Sequence, residues 1–302
     1  METPNKIVYM RSLYKDLERY ENALKTFKDY SGEYEVYKQW YETKFEQLVV
    51  DKIKLEEQED QQELRVMGVG SGSGEADYEM LTELLSRYPK IRNTVIEPAD
   101  QMMQKYRHLV TSQQQSLSGV VFDWRQQKYE DYQQDCQQTG DVTKFHFIHV
   151  VHSLYHMPDL DAVLESLWER LDNGGVLLII ITSEKSGIHH VHEKFNKEVK
   201  ADNTMTNATS ADVQRVFDKL RLTCKVYLQP LRLDITKCFQ DGDRDGDLIL
   251  DFLANTINFR NAAPKILLED YMQFLKEAKC SEVSSDRVLL NMDWNAIVIQ
   301  KE

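Results

Sequence analysis

The residues best suited to chemistry in this sequence are a run of alternating glycines and one acid beyond it. The run is Val66-Met67-Gly68-Val69-Gly70-Ser71-Gly72-Ser73-Gly74-Glu75. An apolar stretch ends in glycines there, and a helical pattern over 76–88 follows. Glu97 closes a second short apolar run, Thr94-Val95-Ile96, about twenty residues further on. Glycine lets the backbone turn sharply and approach a ligand where any Cβ would collide. An acid at the end of the next strand can accept hydrogen bonds from ribose hydroxyls. Together these residues predict a nucleotide-like cofactor at the first strand-to-helix turn, although a tight structural turn alone gives the same glycines.

The neighbouring charges narrow the cofactor. A dinucleotide sets its pyrophosphate over the helix N-terminus. Here the helix opens with Glu75, and Asp77 follows; two acids there would repel phosphate. S-adenosylmethionine has no phosphate and carries an ammonium on its amino acid end, so it suits an acidic turn.

The elements that must position these residues follow from periodicity. From residue 64 strands and helices alternate, which predicts a parallel sheet covered on both faces. Strands are expected over 64–69, 94–97, 119–124, 145–151 and 175–182, with later ones over 224–228 and 288–300. Helices are expected over 76–88, 99–111, 160–171 and 210–220. The stretches 112–118 and 126–139 read as loops, the second partly helical. Before the sheet, Leu13, Leu17, Tyr20, Leu24 and Phe27 form one apolar stripe at helical spacing. Ser31-Gly32 interrupts it, and a second helix runs through Tyr37, Trp40, Tyr41 and Phe45. Residues 51–63 read as a charged connector. An insertion over 234–285 carries helices over 248–259 and 265–278, and is placed to cover the carboxyl ends of the strands, where ligands of open α/β sheets bind.

Further motifs carry the reading beyond the turn. His152-Ser153-Leu154-Tyr155-His156-Met157-Pro158-Asp159, then Leu171-Asp172-Asn173-Gly174-Gly175 and the apolar run 177–181, resemble the end of the fourth strand and the approach to the fifth in class I S-adenosylmethionine-dependent methyltransferases. Met10-Arg11-Ser12-Leu13-Tyr14, Glu33, Ile148-His149, Cys238-Phe239-x-Asp241-Gly242, Gly246-Asp247-Leu248, Asp251-Phe252-Leu253 and Ala296-Ile297-Val298-Ile299 resemble the histamine N-methyltransferase family over almost the whole chain. The resemblance implies a Rossmann-like α/β fold with a seven-stranded, mostly parallel sheet and a small substrate-binding lid. It divides the chain into an N-terminal helical substrate cap (1–50), a cofactor core (51–233), a lid insertion (234–285) and a last core strand (286–302).

The family's residues carry over position by position. Gly68, Gly70, Ser71, Gly72, Glu97, Pro98, Met102, Trp124 and Val151 form the implied cofactor side. Met102 stands where the family has glutamine, and an adenine face can pack on its sulfur and methylenes. Tyr20, Glu33, Tyr155, His156, His192, Phe252, Met292 and Asp293 form the implied substrate side together with His152. Glu33 and His152 are the implied catalytic pair. His152 replaces a family glutamine, Met292 an asparagine, and Ile188 and His192 two tryptophans. The smaller Ile188 and His192 would widen the amine pocket, so the expected reaction is imidazole N-methylation, with carnosine favoured and histamine the alternative. A non-catalytic regulator on the same fold is the alternative of another class.

Other patterns have simpler readings. Asp241-x-Asp243-x-Asp245-Gly246 matches half of a calcium loop, but the twelfth position, which must be a bidentate glutamate, is Phe252; an acidic turn capping the next helix is expected instead. His189, His190 and His192 lack a further converging ligand, so no metal is expected. His146 and His149, inside an apolar strand, read as structural. The net charge of −13 makes nucleic acid and anionic lipid poor partners. Four widely spaced cysteines without a CxxC pair read as reduced thiols. No transmembrane segment is present in the sequence, and Met1-Glu2-Thr3-Pro4-Asn5-Lys6 is unlike a signal peptide. A cytoplasmic monomer acting on a small molecule is expected.

Overall fold

The computed structural model describes residues 10–55, 63–199 and 206–302. The first nine residues and most of the predicted charged connector (56–62) lie outside the described residues. The chain divides into two compact units.

The larger unit comprises residues 37–181, 210–228 and 295–302. Its strands are β1 (Leu64–Val69), β2 (Ile91–Ile96), β3 (Val120–Arg125), β4 (Phe145–Val151), β5 (Leu171–Thr182) and β6 (Lys225–Gln229), joined by a strand from the chain's end, Trp294–Gln300. β1 is parallel to β2 and β4, β2 to β3, and β4 to β5. The strand order runs β3, β2, β1, β4, β5, the last strand, then β6, which confirms the expected seven-stranded sheet. Helices Glu75–Leu85, Asp100–Ser112, Leu160–Arg170 and Ser210–Lys219 link the strands, within a few residues of the expected spans. The 126–139 stretch resolves into a helix, Tyr129–Thr139. Strands 1, 4 and 5 are near-continuous runs of buried Val, Leu, Ile and Phe, as a sheet covered on both faces requires. The order reverses between β1 and β4, and the crevice at such a reversal is where α/β folds bind ligands.

The second unit is assembled from residues 1–36, 182–209 and 229–294. It holds helices Leu17–Ser31, Gly187–Val199, Arg244–Ala254 and Lys265–Leu275. Three short strands, β7 (Arg232–Asp234), β8 (Ser281–Val283) and β9 (Val288–Asn291), form an antiparallel sheet in the order β7, β9, β8. Its core gathers Phe27, Val191, Phe195, Ile249, Leu250, Tyr271 and Leu290, among others. Leu17, expected in the apolar stripe, is 52% exposed.

One expectation changes. The strand predicted over 288–300 is two strands in two sheets: β9, and β10 (Trp294–Gln300). The break is fixed by Asp293, whose amide donates to Asn291 Oδ1 at 2.8 Å and whose carboxylate accepts from Leu231 N–H at 3.0 Å. By compactness, residues 37–50 group with the sheet unit, and 182–199, 206–209 and 229–233 with the second unit.

Candidate active site

The glycine loop is a strand-to-helix turn of unusual backbone shape. Gly70, Gly72 and Gly74 have φ of 68°, 56° and 82°, the left-handed region that glycine enters without penalty. The amide of Gly70 donates to the Ile96 carbonyl at 2.8 Å, tying the loop to the end of β2. Glu97, 7% exposed, accepts from Gly72 N–H at 2.9 Å through one carboxylate oxygen and from Ala99 N–H at 2.8 Å through the other. Burial raises its carboxyl above the usual range, and these two amides oppose that shift. Each oxygen keeps a further lone pair, the capacity a ribose diol needs.

The glycines do different work from the one expected of Gly70. A Cβ on Gly70 would lie 2.4 Å from the Ser153 Cβ. Glycine is therefore demanded there by the end of β4, where the Ser153 hydroxyl donates to the Val69 carbonyl at 2.7 Å. At Gly72 an added Cβ meets nothing within 4 Å, so this is the glycine that faces open space. Asp77 also differs from expectation. It is 1% exposed and accepts from the Tyr106 hydroxyl at 3.0 Å, with His149 Nε2 3.7 Å away. It supports the loop from inside, and only Glu75 presents an acid at the surface of the first turn. An acid-flanked backbone cradle with a buried carboxylate fits a ribose and an ammonium and does not fit a phosphate.

The remaining cofactor-side residues divide. Ser71 and Met102 are half-buried, Val151 ends β4, and Pro98 is exposed beside Glu97. Trp124 stacks on Phe122 at 5.0 Å and meets Tyr106 edge-on at 5.2 Å, with the Arg107 guanidinium 5.1 Å from its ring centroid. Those contacts account for its placement without a ligand.

His152 follows β4 directly. It is a non-glycine residue at φ 48°, a conformation that costs ordinary residues energy and recurs at functional sites. Its amide donates to the Ile180 carbonyl at 2.9 Å, and its ring Nε2 is hydrogen-bonded to the Tyr37 hydroxyl. Burial lowers its pKa to about 4, so the ring is neutral at physiological pH. Tyr155 lies 6.5 Å from it between ring centroids, and His156 packs against Tyr155 at 5.0 Å. The glycine loop, Glu97, His152, Tyr155 and His156 thus belong to one unit, at the carboxyl ends of β1, β2 and β4.

Tyr20, Glu33, His192, Phe252, Met292 and Asp293 belong to the second unit. Glu33 opens the helix Glu33–Trp40, and its amide donates to Ser31 Oγ at 3.2 Å. Tyr20 lies against Tyr14, and Phe252 stacks on Phe27 at 4.4 Å. His192 Nε2 is 3.0 Å from the Leu253 carbonyl. The Met292 amide donates to the Leu231 carbonyl, and Asp293 is engaged by Leu231 and Arg232. Ile188 is 5% exposed in the unit's apolar core, so it is a packing residue and not a wall of a widened pocket.

The bland readings hold in several places. Asp243 caps helix Arg244–Ala254 by accepting from Gly246 N–H at 2.9 Å. His146 accepts from the Arg65 amide at 3.0 Å through Nδ1, and all four cysteines are free thiols. Sequence reasoning missed Tyr37 as a partner of His152, Ser153 as the residue that enforces Gly70, and the interior position of Asp77. A serine two residues after the strand end was the one available signal for the second of these.

The sheet order, the glycine cradle and the buried acid after β2 define a class I S-adenosylmethionine-dependent methyltransferase. The signature described as "Methyltransferase domain" matches residues 41–217, and the chain belongs to that family, with S-adenosylmethionine as its cofactor. Among curated proteins it is similar to the histamine N-methyltransferase of Xenopus tropicalis, 30% identical over 97% of this chain and 99% of that one. It is also 30% identical to the histamine N-methyltransferase of Mus musculus, over 96% of this chain and 98% of the relative. Among solved structures, the YcgJ protein from Bacillus subtilis aligns with a TM-score of 0.50 at 13% identity, over 80% of this chain and 93% of that one; it shares the fold. Among the described residues no helix is long and apolar enough to cross a membrane.

Proposed function

We propose that this chain methylates a ring nitrogen of a small imidazole, with histamine as the preferred acceptor. The observation that carries the reading is His152: a neutral side chain on a left-handed backbone directly after β4, a strand that pairs with β1 up to Gly68. Names of relatives along nearly the full length support histamine. Carnosine loses its main argument with Ile188 in the apolar core and His192 bonded to the Leu253 carbonyl. A non-catalytic regulator has only the shared fold in its favour.

When bound, S-adenosylmethionine supplies an electrophilic methyl on a sulfonium. The chain's own residues need not generate a strong nucleophile, because an unperturbed imidazole, with a pKa of about 6.5, is mostly neutral near pH 7. Their task is to exclude water and aim the ring, and orientation can contribute roughly 7–11 kcal/mol in favourable cases. As positive charge develops on the ring, an acceptor on its other N–H stabilises it. His152 and Glu33 are the proposed acceptors, Tyr155 and His156 the proposed neighbours of the ring, and Tyr20, His192, Phe252, Met292 and Asp293 the proposed outer contacts. Gly72 and Glu97 are the proposed seat of the ribose and amino acid end, with Gly68, Gly70 and Ser71 shaping the loop and Pro98, Met102 and Val151 beside it. Action as a cytosolic monomer is part of the same proposal.

Mass spectrometry of histamine, carnosine and histidine incubated separately with enzyme and S-adenosylmethionine tests this. One methyl should appear on the ring, with kcat/KM higher for histamine than for carnosine. The reverse order would reject histamine as the preferred acceptor, and no methylated imidazole at all would reject the reading.

A further inference from the structure

Tyr37 has no part in the methyltransferase motifs, yet it stands between two local irregularities, a π-helical turn that follows its helix and a left-handed backbone at its hydrogen-bond partner. Its helix runs directly into a π-helical turn, Tyr41–Phe45; such turns are rare and frequent at functional sites. The Tyr37 ring lies against Tyr41 at 6.2 Å and meets His152 edge to face, with centroids 5.9 Å apart and planes at 84°. Its hydroxyl is hydrogen-bonded to His152 Nε2. His152 holds a left-handed backbone at φ 48°, a conformation that persists only when surrounding bonds over-determine it. Those bonds are the amide to the Ile180 carbonyl and the ring to Tyr37. Among the described residues, the His152 ring makes no other hydrogen bond.

We propose that Tyr37 is a positioning residue whose hydroxyl pins Nε2 of His152, so that the ring meets an imidazole substrate through Nδ1 alone. The inference rests on the imidazole reading above and deepens it. A neutral imidazole has one N–H and one lone pair. For Nδ1 to accept the substrate's N–H, the proton of His152 must sit on Nε2, and that N–H needs an acceptor. The phenol oxygen is one. A substrate imidazole held by its N–H presents its other nitrogen, with the lone pair, for methylation. Tyr37 therefore acts on two quantities through His152: turnover, and the ratio of the two ring-methylated isomers. A phenylalanine at this position would leave Nε2 without its partner, and the ring would divide its time between tautomers and orientations.

The test is Tyr37→Phe, alone and combined with His152→Ala. In the single variant kcat should fall about tenfold, the isomer ratio should move toward a mixture, and S-adenosylmethionine affinity by calorimetry should stay within about twofold. In the His152→Ala background the same change should cost less than about twofold further, since neighbours acting as a unit are not additive. Nitrogen-15 NMR of the complex with S-adenosylhomocysteine and histamine should show His152 protonated at Nε2. In the ligand-free protein, Tyr37→Phe should shift the His152 nitrogen signals. An unchanged kcat and isomer ratio, an undiminished cost in the His152→Ala background, unshifted His152 nitrogens, or a proton on Nδ1 in the complex would each overturn the assignment. If histamine does not bind, the imidazole reading fails on its own, and the ligand-free spectra still decide whether Tyr37 holds the ring. Should Tyr37→Phe not fold, the wild-type complex spectrum decides.

Discussion

The sheet unit and the second unit hold their candidate residues in opposite ways. On the sheet, the groups proposed to face the cofactor are backbone amides, glycines at positive φ and one carboxylate at a strand end. Their positions follow from the turn between β1 and its helix. In the second unit the candidates are side chains already engaged by residues remote in sequence: Phe252 by Phe27, His192 by Leu253, Asp293 by Leu231 and Arg232. A backbone-built site survives wide substitution of side chains. A site built from side chains changes whenever its partners do.

The largest expected effect breaks the second unit. Asp251, 1% exposed, accepts from Arg19 Nε and from the amides of Asn258 and Phe259 at 2.9 and 2.8 Å. It clips the N-terminal helix to the turn after helix Arg244–Ala254. Asp251→Ala leaves a charge and two amides without their acceptor, and should cost about 3–5 kcal/mol in chemical denaturation. A loss below about 1 kcal/mol would show that this network adds little beyond apolar packing.

The smallest expected effect sharpens the other side. Burial holds His152 neutral above about pH 4; its protonation is complete only below that value and is irrelevant near neutrality. The substrate imidazole is the group that must lose a proton, at about 6.5. With histamine, kcat/KM should therefore rise with pH through that value with unit slope and then level. His152→Gln should lower or raise the plateau without moving the limb. A limb that disappears in His152→Gln would mean that His152 itself titrates there.

Much of the sheet was legible because its signals are local. Buried parallel strands read as continuous apolar runs, and Gly-rich turns and the acid after β2 sit at fixed offsets from them. The end of β4 placed His152 correctly for the same reason. What escaped was long-range. Tyr37 and His152 are 115 residues apart, and Tyr37 reads from sequence as one more member of an aromatic helical stripe. The π-helical turn has no side-chain signature among Tyr41–Phe45. The strands of the small sheet are three or four residues long, too short for alternation to stand out. Asp77 looked like a ligand-facing acid because spacing from the helix start does not reveal which face is buried.

The division between a cofactor seat and a reacting strand end is tested most directly by measuring S-adenosylmethionine affinity and histamine turnover on two folded variants side by side. Glu97→Ala removes an acceptor bonded to the loop, and should weaken cofactor binding by roughly ten- to a hundredfold, as expected for a hydrogen bond to a charged group. His152→Ala should bind the cofactor within about twofold of the parent and lose at least about tenfold in kcat. Full turnover in His152→Ala, or unchanged affinity in Glu97→Ala, would contradict the account.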